Sequence, residues 1–342
     1  MRVLITGGAG FIGCNATCKF LKKGDEVIIF DNLSRKGSDK NLEWLKSQGN
    51  IEFLKEDLRN PQALENTFKK YGPIDVVLHL AAQVAVTTSV ENPREDFEIN
   101  ALGTMNLLEA MRNSRTNPIL VYSSTNKVYG HMNDIEIVEK DIRYEYSNLP
   151  NGVSEDYPLD FYSPYGCSKG AADQYVRDYA RIYGLRTIVF RQSCIYGYRQ
   201  FGVEDQGWVA WFTIASVLNK PLTIYGDGKQ IRDVLFIDDM VDSFILATQN
   251  INKTCGQVYN IGGGPSNTMS LLELIDYLEI LLHKKIKYSF ADWRPGDQQV
   301  FVSNISKAKK DFEWKPKVEV KEGVKKLCRW VRENSSLFTD FI

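Results

Sequence analysis

Short, nearly continuous apolar runs recur through the first half of the chain, and amphipathic stretches separate them. The runs at 3–6, 27–30, 51–54, 76–80, 119–122 and 187–191 read as strands, rich in Val, Ile and Leu on successive positions. Such runs suit strands covered on both faces. Between them, 11–22, 62–70, 97–113 and 165–183 carry apolar positions at helical spacing. Strand and helix in alternation predict a parallel sheet with helices on both sides. After position 191 the pattern loosens. Helix-like 208–219 and 271–282 stand between Gly-, Asp- and Pro-rich connections, and 258–261 reads as a strand returning to the main sheet. The expected division is therefore a first region of 1–191 with about 232–262, and a smaller, discontinuous second region of about 192–231 with 263–342. The acidic and aromatic stretch 131–161 has no clear periodicity. A loop of that length between a strand and a helix is either a surface excursion or a lid.

The pattern gains chemistry at the first turn. Gly7, Gly10 and Gly13 have GxxGxxG spacing between the first strand and the first helix. Gly7 suits a tight turn, Gly10 lets the backbone approach a pyrophosphate, and Gly13 lets helix and sheet pack closely. The amides of Phe11 and Ile12 begin the helix, whose dipole favours phosphate. The fold class is thus α/β, a Rossmann-type doubly wound parallel sheet with a smaller C-terminal substrate domain. Asp31 ends the second strand eighteen residues after Gly13, where a carboxylate binds ribose hydroxyls and repels a 2′-phosphate. NAD is therefore the expected cofactor. Asn32, Ser34 and Arg35 follow it; Arg35 is read as an adenine-edge or solvent-facing arginine. Asp57 and Leu58 close the third strand beside the adenine, and Leu80, Ala81, Ala82 and Gln83 leave the fourth beneath the cofactor. Asn100, Ser123, Gln192 and Ser193 complete the expected cofactor set.

Ser123-Ser124-Thr125 ends an apolar strand, and Tyr165 and Lys169 lie four residues apart, on one face of a helix that Ser163 caps and Pro164 begins. Free tyrosine has a pKa of roughly 10. A lysine one turn away favours its phenolate, which makes Tyr165 a base for a carbinol proton, with Thr125 as the bridging hydroxyl. Alone, the Tyr/Lys spacing also describes a surface pair. With the glycine loop and Thr125 in order, Thr125, Tyr165 and Lys169 form the candidate catalytic group.

These motifs, with Val128-Tyr129-Gly130 and Arg232-Asp233, resemble the extended short-chain dehydrogenase/reductase family of nucleotide-sugar epimerases and dehydratases, from residue 1 to about 330. Within it, the stretches 31–37, 124–130, 163–173, 198–201 and 206–209 resemble the branch that inverts C2 of CDP-hexoses. The resemblance implies a transient oxidation to a keto-sugar, with Arg232 and Arg294 on the diphosphate of the substrate and Thr223 and Tyr225 at its pyrimidine. Thr87, Thr88, Ser89, Gln206 and Trp208 are expected near the sugar, with Asn126, Cys194 and Asp297 in the same set. Dehydratases of the family carry an Asp-Glu pair where Asn126 and Lys127 stand, so dehydration is not expected. Cys194 stands where 4-epimerases place Asn, yet a UDP-sugar 4-epimerase remains open, as does a non-catalytic NAD-binding regulator. The family implies a homo-oligomer through helices 97–113 and 165–183.

Composition narrows the classes further. Of 342 residues, 42 are basic and 43 acidic, a net charge of -1, which offers nothing to nucleic acid. No apolar run is long enough to span a bilayer, so no membrane partner is expected. Six cysteines without a CxxC pair and only three histidines point to no metal site. The chain opens directly on strand-like residues, which suggests no signal peptide and a cytoplasmic protein.

Overall fold

Fifteen strands appear in chain order in the computed structural model, which describes residues 1–294 and 296–338. Pro295, within the segment from Arg294 to Asp297, and 339–342, the end of the expected second region, lie outside the described residues. The first five strands are β1 (Arg2–Thr6), β2 (Glu26–Phe30), β3 (Glu52–Leu54), β4 (Val76–His79) and β5 (Ile119–Thr125). A hairpin of β6 (Ile137–Glu139) and β7 (Tyr144–Tyr146) precedes β8 (Arg186–Gln192). Then come β9 (Cys194–Tyr196), β10 (Leu222–Tyr225), β11 (Ile231–Phe236), β12 (Gln257–Ile261), β13 (Thr268–Ser270), β14 (Tyr288–Ala291) and β15 (Val300–Phe301).

Seven strands form one parallel sheet in the order β3-β2-β1-β4-β5-β8-β12. Alternate side chains go to opposite faces, so each strand feeds two cores. Val3 and Ile5 join Phe20, Leu45 and Phe244, while Leu4 meets Leu64, Phe68, Leu107 and Val176. Helices Phe11–Lys22, Ser38–Gln48 and Ile237–Gln249 contribute to the first core, and Pro61–Tyr71, Gly103–Ser114 and Ser163–Tyr183 to the second. Strand order reverses between β1 and β4, which opens a crevice at the carboxyl ends of the strands.

The stretch expected as one helix over 97–113 is a helix Pro93–Phe97, a π-turn Glu98–Leu102 and a helix Gly103–Ser114. A π-turn inserts a residue into the helical ladder and commonly marks a functional neighbourhood. The second region is built on smaller sheets. β11 pairs with β9 through Val234–Phe236 and with β13 and β15 through its first residues, and β10 pairs with β14. Residue 232 therefore lies in the smaller sheet, and the chain rejoins the first core with the helix Ile237–Gln249, which the periodicity had not marked.

The stretch 131–161 is not a lid: none of its residues lines either cavity described below. It straps the second region instead. The Tyr144 amide donates to Lys229 O, Arg143 pairs with Glu273, and Val153 bridges to Ser303. Among the described residues, no helix is long and apolar enough to cross a membrane, and no cluster of metal-ligating side chains occurs.

Candidate active site

Two adjoining cavities occupy the crevice. The larger, about 550 Å³, runs over the glycine loop to the end of β5. The glycines stand where side chains have no room: a Cβ on Gly7 would meet the Ala81 backbone nitrogen at 2.7 Å, and one on Gly13 would meet Gly7 O at 2.1 Å. Gly7 also has φ of +70°, which favours glycine. Gly10 begins the helix Phe11–Lys22 with no side-chain cap, so its first amides face the cavity. Asp31 is buried at the end of β2. Its two oxygens accept from the amides of Ala9 (3.0 Å) and Leu33 (2.8 Å), and desolvation pushes its carboxyl above the usual range.

The remaining wall follows the expected set closely. Phe11, Ile12, Asn32, Ser34, Arg35, Asp57, Leu58, Leu80, Ala81, Ala82, Gln83, Ser123, Gln192 and Ser193 all line this cavity. Asn32 Nδ2 donates to Asp57 at 2.8 Å, and Arg59 holds that carboxyl down at about 2. Arg35 donates through Nη2 to Gln206 Oε1 at 2.9 Å, across the mouth of the cavity. The amide Nε2 of Gln192 is buried without a hydrogen-bond partner among the described residues. A glycine cradle, free helix amides, a ribose-compatible carboxylate and an orphaned amide donor together fit a dinucleotide such as NAD.

At the inner end stand the three expected catalytic side chains. Helix Ser163–Tyr183 starts one residue earlier than read: Tyr162, not Ser163, is the N-cap, while the Ser163 hydroxyl oxygen still accepts the Gly166 amide at 3.2 Å and Pro164 sits in the first turn. One face carries Tyr165 and Lys169. Burial pushes the Tyr165 phenol up to about 12, opposed more weakly by the neighbouring Thr125 hydroxyl. Burial brings Lys169 down to about 7, opposed by the carboxylates of Asp96 and Asp173. Its Nζ donates to Ser123 O at 2.5 Å and lies 4.4 Å from the centroid of the Tyr122 ring.

The smaller cavity, about 300 Å³, opens beyond this group. Thr125, Asn126, Tyr165, Ser193, Cys194 and Gln206 line both cavities, so Thr125 and Tyr165 sit at their junction, with Lys169 on the larger cavity alone. Thr87, Trp208, Thr223, Tyr225, Arg232, Arg294 and Asp297 line the smaller one, as expected. The Thr87 hydroxyl is another buried group without a partner among the described residues. Arg232 is buried and donates to Asp297 at 2.6 Å. Arg294 stacks 3.8 Å from the centroid of the Tyr225 ring and pairs with Asp205 at 3.1 Å.

Three expected residues sit elsewhere. Ser89 lines neither cavity; its hydroxyl accepts the Tyr165 amide at 3.1 Å and so fixes the start of the catalytic helix. Asn100 is likewise behind the wall. Its side chain exchanges hydrogen bonds with the Gln83 backbone in both directions, at 2.9 and 3.1 Å, and so positions the loop after β4. Thr88 faces the larger cavity rather than the sugar side.

The sequence reading missed Asp96, which is 1 % exposed. Its carboxylate accepts from Ser168 (2.5 Å), Gln83 (2.9 Å) and Asn100 (3.1 Å), and so joins the helix Ser163–Tyr183, the loop after β4 and the π-turn. An acidic residue in an exposed-looking Pro-Arg-Glu-Asp run carries no signal of this. Arg199 also lines the larger cavity, stacked 4.2 Å from Trp44. Lys127, noted only as a departure from the dehydratase pattern, lines the smaller one.

Comparison with known proteins places the chain in a class. The family model described as GDP-mannose 4,6 dehydratase matches residues 4–327. The chain belongs to this family of enzymes, the extended short-chain dehydrogenases/reductases. Within it, the chain is 50% identical to the CDP-paratose 2-epimerase of Salmonella typhi over 335 residues, 96% of this chain and 99% of that one. Among solved structures, the UDP-glucose 4-epimerase of Thermotoga maritima with UDP-glucose has a TM-score of 0.85 at 31% identity, covering 98% of this chain and 100% of that one. The UDP-glucuronic acid 4-epimerase of Bacillus cereus, in complex with UDP-glucuronic acid and NAD, has a TM-score of 0.84 at 29% identity, covering 97% and 99%.

Proposed function

We propose that this protein is an NAD-dependent nucleotide-sugar epimerase that inverts C2 of a CDP-hexose. The observation that carries the reading is the junction: Thr125 and Tyr165 line both a dinucleotide-shaped cavity and a second cavity walled by Arg232 and Arg294. A carbinol held there faces a base on one side and a redox cofactor on the other. The 50% identity to a CDP-paratose 2-epimerase supports C2 and the cytidine nucleotide. Asn126 and Lys127 in the wall supply no acid–base carboxylate pair, which speaks against elimination of water.

Bound NAD carries a positive charge on its nicotinamide and accepts and later returns a hydride. The rest is done by the chain. Tyr165 takes the hydroxyl proton, with Thr125 bridging phenol and substrate oxygen. Lys169, held partly protonated between Asp96 and Asp173, favours the phenolate. Arg232 and Arg294 keep the diphosphate while the keto-sugar presents its other face. Tyr165 then gives the proton back. Exposed Phe97, Leu102, Tyr175, Ile182 and Tyr183 on the two expected helices support a homo-oligomer.

The test is product analysis by NMR with CDP-, UDP-, GDP- and dTDP-sugars, repeated in D₂O. Inversion at C2 of a CDP-hexose, with no solvent deuterium at that carbon and full retention of a C2 deuterium label, is expected. Solvent deuterium at the inverted carbon overturns the redox route. Inversion at C4 of a UDP-sugar moves the protein to the alternative that the solved 4-epimerases favour.

A further inference from the structure

Lys127 is a cation that the mechanism above leaves unused. It sits in the single turn Asn126–Tyr129 that follows the catalytic threonine, and its amide donates to Thr125 Oγ1 at 3.2 Å. The side chain lines the smaller cavity. Its ammonium donates to two neutral acceptors, Gly296 O at 3.2 Å and Gln298 Oε1 at 3.4 Å. Among the described residues it makes no ion pair. The one carboxylate of this corner, Asp297, is held by Arg232 at 2.6 Å. Two cations thus share one anion, and the excess positive charge of this corner suits an anionic partner.

We propose that Lys127 is a substrate-binding residue whose ammonium contacts the sugar-side phosphate of the diphosphate. The proposal rests on the nucleotide-sugar reading above and assigns a further residue to that site. Lys127 lies two residues from Thr125 and faces Arg232, which puts it between the reacting carbinol and the arginine expected on the diphosphate. The groups that face it are Arg232 on β11, Cys194 on β9 and Asp297 on the 296–298 segment. Desolvation first, then Arg232, brings its ammonium down to about 8, against the weaker opposing pull of Asp297 and Cys194. A diphosphate beside it reverses that balance and raises its proton affinity. Binding then draws a proton from solvent wherever the free lysine is neutral.

The experiment is calorimetric titration of the NAD-loaded protein with CDP-glucose at about pH 8, in two buffers of different ionisation enthalpy. The expected uptake is about half a proton per bound ligand, with affinity falling as pH rises above that value. Lys127→Arg stays charged, so it should keep the affinity within about threefold and lose the proton uptake. Lys127→Gln should bind roughly tenfold more weakly at neutral pH, with no pH dependence in this range. Binding by the unaltered protein without proton uptake overturns the proposal, as does uptake that persists in Lys127→Arg. Failure to bind CDP-glucose and UDP-glucose alike removes the nucleotide-sugar reading and this proposal with it.

Discussion

Two lysines mark the two halves of this site, and their surroundings differ in sign. Lys169 lies against the wall beneath the larger cavity, flanked by the buried carboxylates of Asp96 and Asp173. Asp173 is matched by Arg191, at 3.0 Å, whereas among the described residues Asp96 accepts hydrogen bonds from the neutral donors Ser168, Gln83 and Asn100. Lys127 lines the smaller cavity and faces Arg232. Burial lowers the proton affinity of both. Around Lys169 that loss is opposed from within the protein by the two carboxylates. Around Lys127 the Arg232 guanidinium adds to the loss and outweighs Asp297, so on the proposal above the balancing negative charge comes from the ligand. The lesson is that a buried cation is read from its unmatched neighbours rather than from its burial. Changes in the Lys169 wall should therefore act on turnover and its pH dependence, and changes in the Lys127 corner on binding.

Tyr165→Phe attacks the wall most directly. It removes the proton acceptor and leaves the ring packed, so kcat should fall by roughly 10²–10⁴ while NAD remains bound, as absorbance of the purified protein would report. A variant that loses NAD but keeps its activity per bound cofactor would contradict the division. On the other side, Arg232→Ala should raise KM by roughly 10- to 100-fold with little change in kcat, because the diphosphate is held alike in ground and transition states. Arg294→Ala should do the same by about tenfold or less, since Arg294 is already engaged by Asp205 and the Tyr225 ring near the surface. Loss of kcat alone in either variant would move that arginine into the chemistry.

Lys169→Met sharpens the comparison through pH. Without the ammonium one helical turn away, the Tyr165 phenolate loses the support proposed for it, so the acid limb of kcat/KM should move upward by about a unit or more. An unmoved limb would leave Lys169 with cofactor holding alone. The smallest effect, and the one most particular to this wall, concerns Asp96→Asn. Burial outweighs the Ser168 and Gln83 donors and the Lys169 ammonium and pushes the Asp96 carboxyl above its ordinary range, so folding disfavours the ionised form. The penalty is absent below the unfolded-state pKa, grows as pH rises through the folded-state one, and is full at neutral pH. Removing the charge should raise Tm at pH 7 by roughly 1–3 °C while slowing turnover by less than about tenfold. A drop in both would make Asp96 a packing element only.

Much of this protein was legible before any coordinates, and for a physical reason. The glycine loop, the strand ending at Thr125 and the helix bearing Tyr165 and Lys169 are local constructions: backbone sterics and helical periodicity act over a few residues, so short stretches of sequence determine them. The parallel sheet followed from alternating apolar runs in the same way, and the helices Phe11–Lys22 beside it and Leu271–Leu282 in the second region begin and end where the periodicity does. Tertiary structure decided everything that depends on segments distant in the chain. It moved Ser89 and Asn100 from expected ligand contacts to the scaffolding of Tyr165 and Gln83, because both side chains found buried backbone partners first. It turned 131–161 from a candidate lid into a strap, since Arg143 and Tyr144 meet Glu273 and Lys229 far along the chain. It also set the charge around each lysine. Desolvation and Coulomb attraction depend on distance in space, and no spacing along the sequence encodes which carboxylate ends up beside which ammonium.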